Sequence, residues 1–271
     1  MPELAEVEWF RKRWDSGLNR EVMAVEFNRQ ARCCRDINPA LVKRALVGSQ
    51  MVHTEAAAKQ MAFVFSSGAW LGVHLGMTGV TEQLTQDTKA GKHDHFILRF
   101  KKGPHLVFRD PRMFGKVHLW QGQGRPPWWE AIAPAILSQA FTPELLKAFL
   151  KRRARAPIKA VLLMQERFPG VGNWMADEVL WRAGFHPQAQ AGKFGPKAQK
   201  TLYRCLRQVC RDALEVIGSQ GAEPPNTWLF NHRWEDGGIC PRSKKTLQRA
   251  TVGGRTACWS PSRQRLGNER D

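Results

Sequence analysis

No apolar run in this 271-residue chain approaches the ~20 residues that a helix needs to cross a bilayer, which argues against a membrane-spanning protein. The opening stretch, with Glu3, Glu6 and Glu8, also lacks the basic-then-apolar order of a secretory leader, so an intracellular protein is expected. Cysteine is sparse: six are present, two of them adjacent at Cys33 and Cys34, with no disulfide framework, which agrees with a reducing compartment. Acid is in short supply. Against 42 Lys and Arg stand 24 Asp and Glu, for a formal charge of +18 and a pI near 10.2. A surface this basic attracts polyanions over several ångströms, and 11 Trp add stacking groups to the phosphate-contacting cations. Nucleic acid is the leading partner, with general basicity as the plainer alternative. What the chain does have is a 42% hydrophobic share, enough for real cores in one large domain or two ordinary ones.

The first eight residues, Met1-Pro2-Glu3-Leu4-Ala5-Glu6-Val7-Glu8, offer a reactive end. Loss of Met1, common before a small residue, leaves Pro2 with a free secondary amine. An α-amino group titrates near ~7.7–8.0, so a useful fraction is neutral at physiological pH. Such amines attack aldehyde carbons and form Schiff bases, and Glu3 next to it can serve as general acid or base. The structural alternative is a helix start, where proline and acidic residues are both favoured.

The rest of the chain has two textures. Val7, Phe10 and Trp14 recur at helical spacing, predicting a first helix up to the Asp15-Ser16-Gly17 break. From Glu21 to about Trp120 come short β-like runs, Val22–Phe27, Met61–Phe65, Trp70–His74, Phe96–Phe100, His105–Phe108 and Lys116–Trp120, which predict a β-sandwich or barrel-like domain. Polar stretches interrupt it at Lys59, at His74-Leu75-Gly76-Met77-Thr78-Gly79 and at Asp110-Pro111-Arg112-Met113-Phe114-Gly115. A lysine beside a strand is ordinarily just solvated, and a Met or Phe is ordinarily core. A Gly/Pro-rich segment over 121–135 reads as a linker. Beyond it the spacing is helical over Pro143–Leu150, Ile158–Glu166, Trp174–Ala183 and Lys197–Ile217. Gly170-Val171-Gly172-Asn173 forms a turn whose N–H groups can hold a phosphate, with Asn173 placed to cap the following helix. From Trp228 the chain is rich in Arg, Lys and Trp, and Cys240–Ser243 and Val252–Arg263 read as the two strands of a β-hairpin finger.

Taken together, five stretches resemble the formamidopyrimidine-DNA glycosylase and endonuclease VIII family of base-excision repair enzymes: Pro2 to Glu8, His74 to Gly79, Asp110 to Gly115, Gly170 to Glu178, and Val252-Gly253-Gly254-Arg255-Thr256. The resemblance covers nearly the whole chain. It implies an α+β protein with a catalytic N-terminal helix and β-sandwich over 1–120, a linker over 121–135, a helix–two-turn–helix domain over 136–227 and a finger with a basic tail over 228–271, with DNA in the cleft between domains. It also implies roles: Pro2 as nucleophile on C1′, Glu3 as acid/base, Glu6 as a supporting carboxylate of the same helix, and Lys59 as a catalytic lysine contacting phosphate near the lesion. His93, Asn173 and Arg255 would bind the DNA backbone, and Met77, Arg112 and Phe114 would fill the gap left by a flipped nucleotide.

The finger departs from the zinc-bearing pattern of Cys-x-x-Cys on each strand. Cys240 stands alone, Ser243, Ser260 and Arg263 take the other ligand positions, and Cys258 is out of register, so no zinc is expected. No other cofactor is needed, since a Schiff base is its own electron sink. The expected function is a monomeric DNA glycosylase and abasic-site lyase acting on double-stranded DNA with oxidised bases or abasic sites, cutting by β,δ-elimination. The segment Gly218–Asn226, where relatives that favour 8-oxoguanine carry a long covering loop, looks shortened, so 8-oxoguanine is expected to be the weaker substrate. Two rivals are a noncatalytic DNA- or RNA-binding protein on the same scaffold, opposed by the intact Pro2-Glu3 pair, and an N-terminal-proline tautomerase, which has no need of so basic a surface.

Overall fold

The computed structural model describes residues 1–270, which form two compact units, Met1–Ile132 and a second from Ala133 onward. Asp271, the last residue of the expected tail, lies outside the described residues.

The first unit opens with helix α1 (Leu4–Arg13), followed by strand β1 (Val22–Phe27) and helix α2 (Pro39–Leu46). Pro39 is pre-set for the first turn of α2, and Asn38 caps it by accepting from the N–H groups of Ala40 and Leu41. Seven further strands follow: β2 (Met51–Ala57), β3 (Gln60–Phe65), β4 (Trp70–His74), β5 (Val80–Leu84), β6 (Asp94–Phe100), β7 (His105–Arg109) and β8 (Lys116–Trp120). They make two antiparallel four-stranded sheets in the orders β1-β6-β7-β5 and β2-β3-β4-β8. Met61, Phe63, Phe65, Leu71 and Val73 of one sheet share a core with Val22, Phe96, Leu98, Leu106 and Phe108 of the other, so the sheets pack face to face. Trp14, just past α1, tilts onto Phe63 at 4.6 Å and closes that core at one end.

All six expected strands are present. The two that sequence patterning passed over, β2 and β5, are edge strands with half-exposed, polar-rich sequences that lack the apolar signature of the inner strands. Part of the expected linker is ordered onto the first unit: α3 (Pro127–Glu130) buries Trp129 against Trp70 and sets Trp128 edge-on to His118 at 4.3 Å.

The second unit holds α4 (Pro143–Arg152), α5 (Ile158–Leu162), α6 (Asn173–Ala183) and α7 (Pro196–Ala213), the last continuing through a π turn to Ser219. Gly184, at φ 78, ends α6 in the left-handed conformation that glycine allows without a Cβ penalty. The finger differs from expectation. Its strands are β9 (Gln248–Val252) and β10 (Arg255–Trp259), while Cys240–Ser243 is a turn that precedes them. Trp181 of α6 clusters with Leu229, Cys240, Leu247 and Cys258, which fixes the finger on the helices through apolar packing. Among the described residues, no helix is long and apolar enough to cross a membrane.

Candidate active site and nucleic-acid interface

Glu3 is the N-cap of α1 and Glu6 its third residue, and the pair form a capping box in which the Glu6 carboxylate accepts from the Glu3 N–H at 3.1 Å. The Glu3 side chain is almost wholly buried while Pro2 beside it is half-exposed. The structural and the chemical readings of this stretch are therefore compatible, because the cap is what holds Glu3 next to the amine.

Two registers show where that end of α1 points. Arg11 donates to Thr54 of β2, and Leu18 bridges Met51, so moving back along α1 runs up β2 toward its turn with β3. The Phe10 carbonyl accepts from Thr81 and the Arg13 carbonyl from Gln83, so the same movement runs back along β5 toward residues 75–79. From Arg11 to Glu3 the helix rises about 12 Å, comparable to the three residues of β2 left beyond Thr54, whereas on β5 only Val80 precedes Thr81 before the chain enters the 75–79 loop. The N-terminal end of α1 thus runs toward the end of the first unit that carries the β2–β3 turn and the 75–79 loop.

Lys59 is the second residue of that two-residue turn. Ala58 before it has φ 57, a conformation costing an alanine about 1 kcal/mol, so the turn is held by its strands and not by its own preference. His74, opposite Gln60 on β4, is held neutral to lower pH than usual by burial and by the charge of Lys59, and its Nδ1 accepts from the Gly76 N–H at 3.1 Å. Lys59 and the start of the 75–79 loop are neighbours.

The expected void-filling residues come from two loops that one carboxylate ties together. Asp110 is fully buried; it accepts from the Thr78 hydroxyl at 2.7 Å, the Gly115 N–H at 2.7 Å and the Arg112 N–H at 3.3 Å. Gly76, at φ 64, lets the loops touch, since a Cβ there would lie 2.4 Å from the Phe114 backbone. The result is a projecting group with Met77 41% and Phe114 43% exposed, and with the Arg112 guanidinium 4.8 Å from the Phe114 ring centre. Arg32 approaches the same ring at 5.7 Å and was not anticipated. His93, half-buried, is tied in by its carbonyl, which accepts from the Asp110 N–H at 3.0 Å.

In the second unit, Asn173 and Arg255 flank α5. Asn173 does not cap α6. Gly172 is the N-cap, no side chain caps the helix, and the Asn173 Oδ1 is buried with no hydrogen-bond partner. The Asn173 carbonyl accepts from Lys159 Nζ at 2.7 Å, and Lys159, fully buried, also pairs with Asp177. Asp177 in turn accepts from Arg233 and, at 3.2 Å, from the Cys258 N–H of β10. Arg255 opens β10 beside Gly253 and Gly254, both at positive φ, and a Cβ on Gly253 would meet that of Ala160 in α5 at 2.5 Å. Backbone positions of both residues are therefore set through one short helix and one buried carboxylate.

Sequence reasoning gave no role to Asp110, Asp177 or Lys159. The first two stood inside recognised motifs, and the third was legible as a lone cation in the apolar run Ile158-Lys159-Ala160-Val161-Leu162.

At the expected metal positions of the finger, Cys240 is buried and Arg263 exposed. The hydroxyls of Ser243, Ser260 and Ser262 form a chain at 3.2 and 3.1 Å. Burial pushes the Cys240 thiol up, but hydrogen bonds from Ser243 and from the Trp181 indole outweigh it and bring it down to about 7.

These features define an α+β protein whose first unit sets a capped N-terminal helix on a β-sandwich and whose second joins helices to a β-hairpin. Residues 1–117 match the formamidopyrimidine-DNA glycosylase N-terminal domain and residues 132–223 the formamidopyrimidine-DNA glycosylase H2TH domain. A formamidopyrimidine-DNA glycosylase of Solibacter usitatus is 32% identical over 98% of this chain and 100% of its own length, and one of Roseiflexus sp. is 34% identical over 81% and 84%. Among solved structures, Lactococcus lactis Fpg (MutM) in complex with DNA containing an oxidised pyrimidine is similar at a TM-score of 0.87, 25% identity and 97% and 100% coverage. The chain belongs to the formamidopyrimidine-DNA glycosylase family, DNA glycosylases of base excision repair.

Proposed function

We propose that this DNA glycosylase is bifunctional, excising oxidised bases through an iminium on Pro2 and then cutting the strand. The observation that carries the reading is the Pro2-Glu3 pair: a half-exposed proline following Met1, with a buried carboxyl beside it fixed by the capping box. With Met1 removed, the Pro2 nitrogen attacks C1′. The glycosidic bond breaks, with the electron pair and a proton going to the departing base. Glu3 protonates the sugar ring oxygen as the ring opens and the iminium forms. Loss of a C2′ proton into that electron sink expels the 3′ phosphate, and a second elimination expels the 5′ phosphate. Hydrolysis of the iminium returns the amine.

Lys59 binds phosphate at the same end of the first unit, supported by its place on the turn toward which α1 runs. His93, Asn173 and Arg255 hold the backbone. Asn173 does not cap α6, and its amide NH2 is the group that would donate to a phosphate. Met77, Arg112 and Phe114 enter the stack, as their exposed, Asp110-tied loops support. The test is sodium borohydride trapping on an abasic duplex: wild type gives a covalent complex, and Pro2→Gly loses it. Full trapping by Pro2→Gly overturns the mechanism.

We propose further that the finger works without zinc. Of the four expected ligands only Cys240 is a zinc donor of ordinary strength; serine is poor and arginine none, so the donor set does not fit the metal. Elemental analysis of the purified protein should find well below one zinc per chain, and activity should survive chelation. Stoichiometric zinc lost together with activity contradicts this.

For substrate, the segment after the π turn is short, and it is pinned by Asn231, which donates to the Pro224 carbonyl at 2.7 Å, and by His232, whose Nε2 lies 2.8 Å from the Asn226 carbonyl. A pinned segment supplies fewer hydrogen bonds to a flipped oxidised purine, and a site without such contacts discriminates less. We expect 8-oxoguanine opposite cytosine to be released more slowly than ring-opened formamidopyrimidine, oxidised pyrimidine or further-oxidised guanine. The L. lactis relatives solved with oxidised-pyrimidine and Fapy-dG DNA fit that range. Single-turnover rates on matched duplexes decide it, and fastest release of 8-oxoguanine contradicts it.

A further inference from the structure

Of the eleven tryptophans only Trp234 is exposed, at 54%. Its place is fixed from behind. Arg233 is buried on Asp177 and lays its guanidinium 4.7 Å from the Trp234 ring centre. Phe230 meets the ring edge-on at 5.3 Å and continues to Trp174 at 5.1 Å, the residue after Asn173. The carboxylate that anchors Trp234 through Arg233 is thus the one that sets Asn173 through Lys159 and β10 through the Cys258 N–H.

We propose that Trp234 is a base-stacking residue whose exposed surface takes a base unstacked beside the flipped nucleotide, in the DNA whose backbone Asn173 and Arg255 hold. This rests on the function proposed above. An indole held by a cation and an aromatic neighbour while more than half exposed needs little further ordering, so little entropy is lost when a base covers it. Of the charges near the ring, Arg233 is paired with Asp177 and Arg249 with Asp236, which leaves the Glu235 carboxylate to favour a base over a phosphate. Glu235 is exposed beside Trp234, and Asp236 is exposed while pairing with Arg249 at 2.8 Å. Carboxylates repel the backbone but accept hydrogen bonds from exocyclic amino groups. The stacking is sequence-tolerant, since every base has a π-face.

The experiment uses the full chain and a duplex with a tetrahydrofuran abasic analogue, with 2-aminopurine placed in turn at each position near the lesion on both strands. Trp234→Ala should weaken binding about 5- to 150-fold, the worth of one base on one aromatic ring, while Trp234→Phe stays within a few-fold of wild type. The salt slope should be the same in all three, because no ionic contact is lost. At one position the fluorescence should be quenched by wild type and Trp234→Phe but not by Trp234→Ala. Equal affinity of Trp234→Ala and wild type, with the same quenching at every position, overturns the proposal. A lower salt slope in Trp234→Ala also overturns it, assigning the residue to the phosphate grip. Borohydride trapping by the wild-type protein reads on the proposed catalysis alone, so the two failures are distinguishable.

Discussion

Replacing Asp110 with Asn conserves volume but exchanges an oxygen for an NH2 group that must face a donor, either the Gly115 N–H or the Thr78 and Arg112 pair. A buried polar group left unsatisfied costs about 1–3 kcal/mol. Asp110→Asn should therefore lose about that much stability in urea unfolding. It should also lower base excision more than cleavage of a preformed abasic site, because the loops carrying Met77 and Phe114 would no longer share an anchor. Unchanged stability together with unchanged excision would mean that the carboxylate is not the organiser. Asp177 acts in the same way in the second unit, one carboxylate serving α5, β10 and Arg233. In both cases the motif was visible in the sequence but its function was not, because what a carboxylate accepts from depends on residues brought in from other loops.

At the scale of elements, the inner strands and the helices were legible because burial dictates their composition. Phe96–Phe100 and His105–Phe108 are almost wholly buried and read as apolar runs. Edge strands β2 and β5 were not legible, having one half-exposed side, and neither was β9, where Gln248-Arg249-Ala250-Thr251 carries little apolar character. Helix α5 ends at Leu162, four residues before expectation, because apolar spacing marks a buried face and not where helical hydrogen bonding stops. For the candidate site, sequence marked the turns that carry it: Lys59 on the β2–β3 turn, the 75–79 and 110–115 loops joined through Asp110, and Asn173 and Arg255 next to α5. What spacing missed was the support: Lys159 beneath Asn173, Arg32 beside Phe114, and the serine chain where the finger's ligands were expected.

For the whole molecule, the +18 charge is the sequence property that bears most directly on binding. Counterion release makes log affinity fall with log salt by ~0.9 per phosphate neutralised on duplex DNA. Lys59→Ala and Arg255→Ala should each flatten that slope by about 0.9 and weaken binding equally across sequences. Asn173→Ala, which removes a neutral amide, should weaken binding with the slope unchanged. Unchanged slopes in both cationic variants would remove these residues from the DNA backbone. The central claim concerns one atom, the Pro2 nitrogen, and its most direct test is to locate the bond. The borohydride-reduced complex with abasic DNA should be digested with nuclease and protease and its adduct mapped by mass spectrometry. The account predicts the sugar remnant on the nitrogen of Pro2 in a chain lacking Met1; a remnant on Lys59 or any other lysine, with Pro2 unmodified, would contradict it.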